Sequence, residues 1–306
     1  MEVINGFKKL PQISNFSIIT IGNFDGIHLG HQKILDFLAE KAKKYSLLSL
    51  ILTFSPHPEK ILGKKRTKMI QTLDQRVKEL NKYNIKACLI VPFDDKFSSL
   101  SSQDFIQQIV LNTLKAKMVI VGENFHFGKN REGDISQLHR LASQFNFQVF
   151  SIPSVTIEGK TVSSSLVRSF LREGKIEKVY TLLGRSYEIE GKVIRGKSRG
   201  KALGFPTANI ETENEIVPPG VFITTAWLKS KKFHSMTNVG IRPTFNQQET
   251  NIESYIINFN KNLYGEKIRI NFIKKIRDEI KFKTSEDLSR QIKKDLETTK
   301  LYFKLK

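Results

Sequence analysis

The stretch SIITIGNFDGIHLGHQKILDFLAEKAKK, residues 17–44, passes from a strand-like apolar run, SIITI (17–21), to a helix-like segment, QKILDFLAEKAKK (32–44), through one glycine-rich turn. That turn, GNFDGIHLGH (22–31), holds three glycines and two histidines. Gly22, Gly26 and Gly30 let the backbone bend sharply and let a bulky anion come close. The helix that follows offers unpaired N–H groups and a positive dipole end to a phosphate. His28 and His31, three apart in the first turn, project toward one spot and can donate hydrogen bonds to phosphoryl oxygens. A metal reading is the lesser alternative, because HxxH supplies two ligands and only Asp25 stands near as a third.

The same alternation runs outward along the chain. Apolar runs at 47–54, 86–93, 116–122 and 147–153 are separated by helical patterns at 74–83, 101–115 and 134–145. Strands spaced by helices imply right-handed crossovers and a parallel sheet covered on both faces. The expected fold is therefore α/β and Rossmann-like, with ligands beyond the carboxyl ends of the strands.

From about Tyr187 the pattern changes to short β-branched or aromatic runs punctuated by glycine, proline and asparagine, as in YEIEGKVIRG, GVFITTAWL and KIRINFIKKI. These predict antiparallel strands of a small barrel or sandwich. One long helical pattern, 285–303, follows the cap candidates Thr284 and Ser285. The domain boundary is expected near Gly184 to Ser186, giving domains 1–184 and 185–306.

Composition sets limits on function. No window approaches the roughly 18 consecutive apolar residues that span a bilayer, and MEVINGFKKL has no apolar leader core, so a soluble, cytoplasmic protein is expected. The lone Cys88, in the apolar run IKACLIV, excludes an internal disulfide and reads as a buried, inert thiol. The formal charge of +20 is spread over every segment with no basic tail, which argues against a dedicated nucleic-acid face.

Further motifs carry chemistry. In SSSLVR, serines at a helix start offer hydroxyl and N–H groups to an anion, and Arg168 adds a forked permanent charge about one turn in; Ser164, Ser165 and Arg168 are phosphate candidates. VGENFHFG offers Asn124 as a hydrogen-bonding group, while Phe125 and Phe127 are open between a stacking face and core. His57, in SPHP, lies just past a strand end. GKVIRGKSRGKALGFPTANI (191–210) places Gly196, Gly200 and Gly204 among basic residues, a loop able to fold over a polyphosphate. In PTAN, Thr207 and Asn209 are two apart and would face one side of an extended strand, a hydroxyl and an amide oxygen suited to Mg²⁺.

GxFDGxHxGH with TFSPHP (53–58) resembles the adenylyltransferase half of the bacterial bifunctional riboflavin kinase/FAD synthetases, a branch of the HxGH nucleotidyltransferases. The resemblance continues in order through VGENFHFGKNREGD (121–134), VSSSLVRSFLREGKIEKVYTLLGR (162–185), GFPTAN, PPGVF (218–222), NVGIRPTF (238–245) and ESYIINFNKNLYGEKIRI (253–270). Serine stands at position 165 where that family usually has threonine, and the hydroxyl is kept.

By that resemblance, Phe24 and Asp25 join the phosphate site, Asn124, Phe125 and Arg277 face flavin, Thr207 and Asn209 hold Mg²⁺, and Glu253 is the catalytic carboxylate. The implied chemistry is phosphorylation of riboflavin by ATP to FMN, then adenylylation of FMN by a second ATP to FAD. Two alternatives stay open at this point. One is nucleotidyl transfer to another phosphorylated acceptor with the barrel kept for binding; the other is a flavin- or nucleic-acid-binding regulator without catalysis.

Overall fold

The computed structural model describes residues 1–10, 15–63, 67–196, 204–243 and 248–305. It divides into two compact units, Met1–Lys68 with Leu73–Ser163, and Met69–Thr72 with Ser164–Lys306.

The first unit is a six-stranded parallel sheet built from β1 (Glu2–Asn5), β2 (Ser17–Ile21), β3 (Leu48–Phe54), β4 (Ala87–Val91), β5 (Ala116–Gly122) and β6 (Gln148–Ile152), in the order β1-β4-β3-β2-β5-β6. Its inner strands are continuous apolar runs because both faces are covered. Successive residues alternate between two cores: Ile19, Ile21, Leu50 and Leu52 face one, and Ile18, Ile51, Cys88 and Ile120 face the other. The covering helices are α1 (Leu29–Tyr45), α2 (Pro58–Ile61), α3 (Leu73–Leu80), α4 (Asp95–Ser98), α5 (Ser102–Asp104), which continues as a π-helix over Phe105–Thr113, and α6 (Ile135–Phe145). A small hairpin, β7 (Thr156–Ile157) and β8 (Lys160–Thr161), ends the unit.

Strand order reverses at β2. The chain steps from β2 outward to β3 and β4, then returns to lay β5 on the other side of β2. In open α/β sheets such a reversal opens a crevice beyond the carboxyl ends of the strands. GNFDGIHLGH follows β2, SPHP follows β3 and GENFHFG follows β5, so three of the motifs emerge at that edge.

The second unit holds α7 (Ser164–Arg172) and α8 (Ile176–Leu183) with a closed antiparallel barrel of β9 (Tyr187–Ile194), β10 (Ala208–Thr212), β11 (Gly220–Leu228), β12 (Lys231–Pro243), β13 (Gln248–Ile256) and β14 (Lys267–Arg277), ordered β10-β13-β12-β11-β14-β9. Closure removes the open edges that a six-stranded antiparallel sheet would otherwise expose. Phe222, Phe272, Ile189 and Ile270 form its apolar core, and the hydroxyls of Thr224, Ser235, Thr237 and Ser254 bond to one another between strands at 2.7–3.0 Å. The chain ends in α9 (Ser285–Tyr302), capped by Thr284, whose hydroxyl accepts the Asp287 N–H. Among the described residues no helix is long and apolar enough to cross a membrane.

The α/β sheet and the antiparallel barrel with its terminal helix agree with the sequence expectation. Strand β1 was not anticipated: EVIN is four residues long with three of them exposed, and it becomes a strand only by pairing with β4.

Candidate active sites

In the first unit the turn after β2 is conformationally costly. Phe24 (φ 50°), Gly26 (φ 83°) and Ile27 (φ 39°) all take left-handed backbone. For a bulky aromatic and a β-branched residue this costs about 1–3 kcal/mol each. Burial offsets it, for the Phe24 and Ile27 side chains lie in the core at 1% and 0% exposure. Phe24, expected on the phosphate side, thus puts its ring among Ile18, Leu35 and Leu38 and against the His31 ring, so its side chain belongs to the core.

His28 is the N-cap of α1, its Nδ1 accepting the His31 N–H at 3.4 Å. An imidazole that accepts at Nδ1 carries its proton on Nε2 when neutral, so the far nitrogen is a donor. The His28 and His31 rings stack, with centroids 3.8 Å apart and planes 18° from parallel. Gly30 leaves room for this stack, since a Cβ there would sit 3.2 Å from the His28 ring. Gly22 closes β2 by donating its N–H to the Leu52 carbonyl. Asp25 is buried beside the turn.

His57 repeats the device one strand away: it caps α2, and its Nδ1 accepts the Glu59 N–H at 3.2 Å. After β5, Asn124 is exposed and its amide donates to Ser154 Oγ at 3.3 Å. Phe125 stacks on Phe127 at 5.5 Å with planes 11° apart, Phe127 buried in the core and Phe125 partly buried against it. The alternatives left open for these two rings thus resolve to core for Phe127, while Phe125 keeps one side open.

In the second unit Ser164 and Ser165 open α7, and Arg168 is buried on its inner face. This unit holds a cavity of about 500 Å³ lined by Thr207, Asn238, Asn251, Glu253 and Arg277 among others. Glu253, on β13, sits across from Asn209 of β10 on one side and Asn238 of β12 on the other. Thr207 Oγ1 donates to Glu253 Oε2 at 3.3 Å, and Asn251 Nδ2 donates to Oε1 at 2.7 Å. Gly196 lies against Asn209, where any side chain would collide with the amide, and Gly204 takes φ 85°. Gly200 lies outside the described residues.

Arg277 is held by Asp295 of α9: Nε donates to both carboxylate oxygens at 3.2 and 3.0 Å and Nη2 to Oδ2 at 2.7 Å. Asp295, 2% exposed, also accepts from Gln291 at 2.9 Å. A forked pair of this kind fixes the guanidinium plane at the cavity wall.

Sequence reasoning missed Asn251, Asn238, Asp295 and Arg76. Asn251 could have been found, because two residues before Glu253 on a strand is the same face. Asp295 gave no signal, being one acid in a charged helix. Among the described residues no group of three or more His, Cys, Asp or Glu side chains is arranged to hold a metal ion. The hard oxygens of Thr207, Asn209 and Glu253 nonetheless suit Mg²⁺.

Two family profiles match the chain in order, FAD synthetase over residues 10–166 and riboflavin kinase over residues 183–303. A curated bifunctional riboflavin kinase/FMN adenylyltransferase from Buchnera aphidicola subsp. Schizaphis graminum is 39% identical over 311 aligned residues, covering 100% of both chains. The chain belongs to this family. Relatives of the same description from Haemophilus influenzae and Escherichia coli K12 are 35% and 31% identical, each covering 99% or more of both chains. A crystal structure described as a macrolide-efflux protein from Streptococcus pneumoniae matches with a TM-score of 0.90 and 27% identity, covering 98% of this chain and 99% of that one.

Proposed function

We propose that the two activities of this family divide between the two halves of the chain at a boundary near residue 184, kinase chemistry residing in the barrel and adenylyl transfer at the carboxyl edge of the parallel sheet. The enzyme phosphorylates riboflavin with ATP and adenylylates the resulting FMN with a second ATP, giving FAD.

The observation that carries the kinase assignment is the Glu253 carboxylate, held by Asn251 and Thr207 at the wall of the cavity. Glu253 orients the ribityl 5'-hydroxyl and accepts its proton as the oxygen attacks the γ-phosphorus of ATP. The new O–P bond forms as the bond to the β-phosphate oxygen breaks, and ADP leaves. Arg277 faces the flavin side. Thr207 and Asn209 would hold Mg²⁺, which supplies neutralisation of phosphate charge when bound.

In adenylyl transfer an FMN phosphate oxygen attacks the α-phosphorus of ATP and pyrophosphate leaves. The nucleophile is already ionised, so no base and no covalent intermediate are required. His28, through its Nε2 proton, and His31 donate to the phosphates with the α1 N-terminus and the main chain of Phe24, Gly26 and Gly30, while the Gly22 N–H is held by the Leu52 carbonyl and lets the chain turn toward the ligand. Ser164, Ser165 and Arg168 are assigned to phosphate and Asn124 and Phe125 to flavin. The cytoplasm, which supplies ATP and keeps a lone buried thiol reduced, is the proposed location.

The test is chromatography of products after incubating the purified chain with riboflavin, ATP and Mg²⁺. FMN followed by FAD is the expected outcome, and riboflavin left unchanged with supplied FMN also unchanged contradicts the assignment.

A further inference from the structure

Helix α3 buries a guanidinium where an amphipathic helix would ordinarily bury an aliphatic chain. Arg76 is 6% exposed. Its Nη1 donates to the Asn23 carbonyl at 2.7 Å and its Nη2 to the Phe54 carbonyl at 2.9 Å. The Asn23 carbonyl also accepts from Thr53 Oγ1 at 3.3 Å.

These two carbonyls belong to two different motif segments. Asn23 immediately precedes Phe24, the first left-handed residue of the turn that leads to the α1 N-terminus and His28, and Phe54 ends β3 just before the segment that carries His57. Burial lowers the Arg76 pKa from its ordinary value, and the neighbouring Asp25 carboxylate acts in the opposite sense. An apolar side chain would fill the same space at less desolvation cost. Two directed N–H groups from one planar fork do what an apolar chain cannot, fixing two carbonyls relative to each other.

We propose that Arg76 is a positioning residue for adenylyl transfer, clasping the strained turn after β2 to the end of β3 so that the His28 and His57 segments keep one geometry. The proposal rests on the reading of that turn as the phosphate site. Arg76 touches no reacting atom in it; its contribution is to hold the turn in place before substrates arrive.

The experiment is steady-state kinetics of both activities, with thermal unfolding, on full-length Arg76→Met and Arg76→Lys. Arg76→Met is expected to phosphorylate riboflavin at the parent rate while kcat for FMN adenylylation falls about 100-fold, the scale of a small misplacement of reacting groups. KM for ATP should change much less than kcat. Arg76→Lys, which keeps the charge but reaches one carbonyl at a time, should recover part of the loss.

Adenylylation within threefold of the parent in Arg76→Met overturns the proposal. So does a loss that tracks a lowered unfolding transition and that Arg76→Lys leaves unrelieved. If Arg76→Met does not fold, Arg76→Lys decides: reduced kcat at a parental melting temperature supports the clasp, and parental kcat overturns it. A His28→Ala/His31→Ala variant measured alongside separates the two levels, since full FAD synthesis there removes the phosphate-site reading whatever Arg76 does.

Discussion

The Asn251 amide donates to the Glu253 carboxylate at 2.7 Å, from two residues earlier on the same strand. Thr207 reaches the other carboxylate oxygen from the segment entering β10. Glu253 is thereby gripped at both oxygens, with one rotamer favoured before any substrate binds.

Removing one grip should loosen the proposed kinase base without touching the other reaction. In Asn251→Ala, kcat for riboflavin phosphorylation is expected to fall about 10-fold, the scale of one hydrogen bond to a charged group, while FAD formation from supplied FMN stays at the parent rate. Asn251→Asp places a second carboxylate against the first, so its activity should be lower still and the acid limb of its pH profile should move to higher pH. Initial rates of FMN and FAD formation across pH check both; equal losses in the two reactions would contradict the assignment.

His28 caps α1, and substitution can separate that role from the phosphate-donor role proposed for it. Asparagine is a strong N-cap whose side-chain oxygen replaces the Nδ1 acceptor, but it has no donor where Nε2 stands. His28→Asn should therefore melt no lower than the parent while FAD formation falls about 100-fold, the cost of one lost donor to a charged transition state. His28→Ala should lose the activity and also about 1 kcal/mol of stability. Parental FAD synthesis in His28→Asn would confine His28 to capping.

Much of this was legible in the sequence because it is local. The passage from SIITI through GNFDGIHLGH to a helix declares a strand, a turn and a helix N-terminus within 28 residues, and β2 and α1 follow from it, although the helix begins three residues earlier than the pattern indicates and takes His28 as its cap. What was not legible depends on distant partners. Arg76 stands in LDQRVKEL, where an arginine reads as solvent-facing until β2 and β3 bring the Asn23 and Phe54 carbonyls to it. Phe24 sits inside the motif, yet its ring belongs to the core, a distinction that the left-handed backbone makes and the spacing does not. Asp295 acquires meaning only when α9 packs its carboxylate onto Arg277.

Cys88 gives a pH-dependent consequence. Burial pushes its thiol from the ordinary 9.0 up to about 12, with Arg76 pulling weakly the other way. Between those values the unfolded chain loses the thiol proton and the folded chain keeps it, so the unfolded state binds fewer protons and stability falls as pH rises above 9.0. The slope from this group is about 1.4 kcal/mol per pH unit at most. Chemical denaturation at pH 8 and pH 10 should show a larger loss for the parent than for Cys88→Ala, and the native thiol should resist alkylation at pH 8 until the chain unfolds. Equal alkaline losses in the two proteins would contradict a buried neutral thiol.

The central claim is that two chemistries occupy two separate sets of residues. The most direct measurement is chromatography of flavin products from Glu253→Gln and His28→Ala/His31→Ala, each supplied with ATP and Mg²⁺ and either riboflavin or FMN. Glu253→Gln should leave riboflavin unphosphorylated yet convert FMN to FAD, and the histidine variant should accumulate FMN from riboflavin without FAD. Loss of both reactions in either folded variant, or of neither in both, would contradict the division.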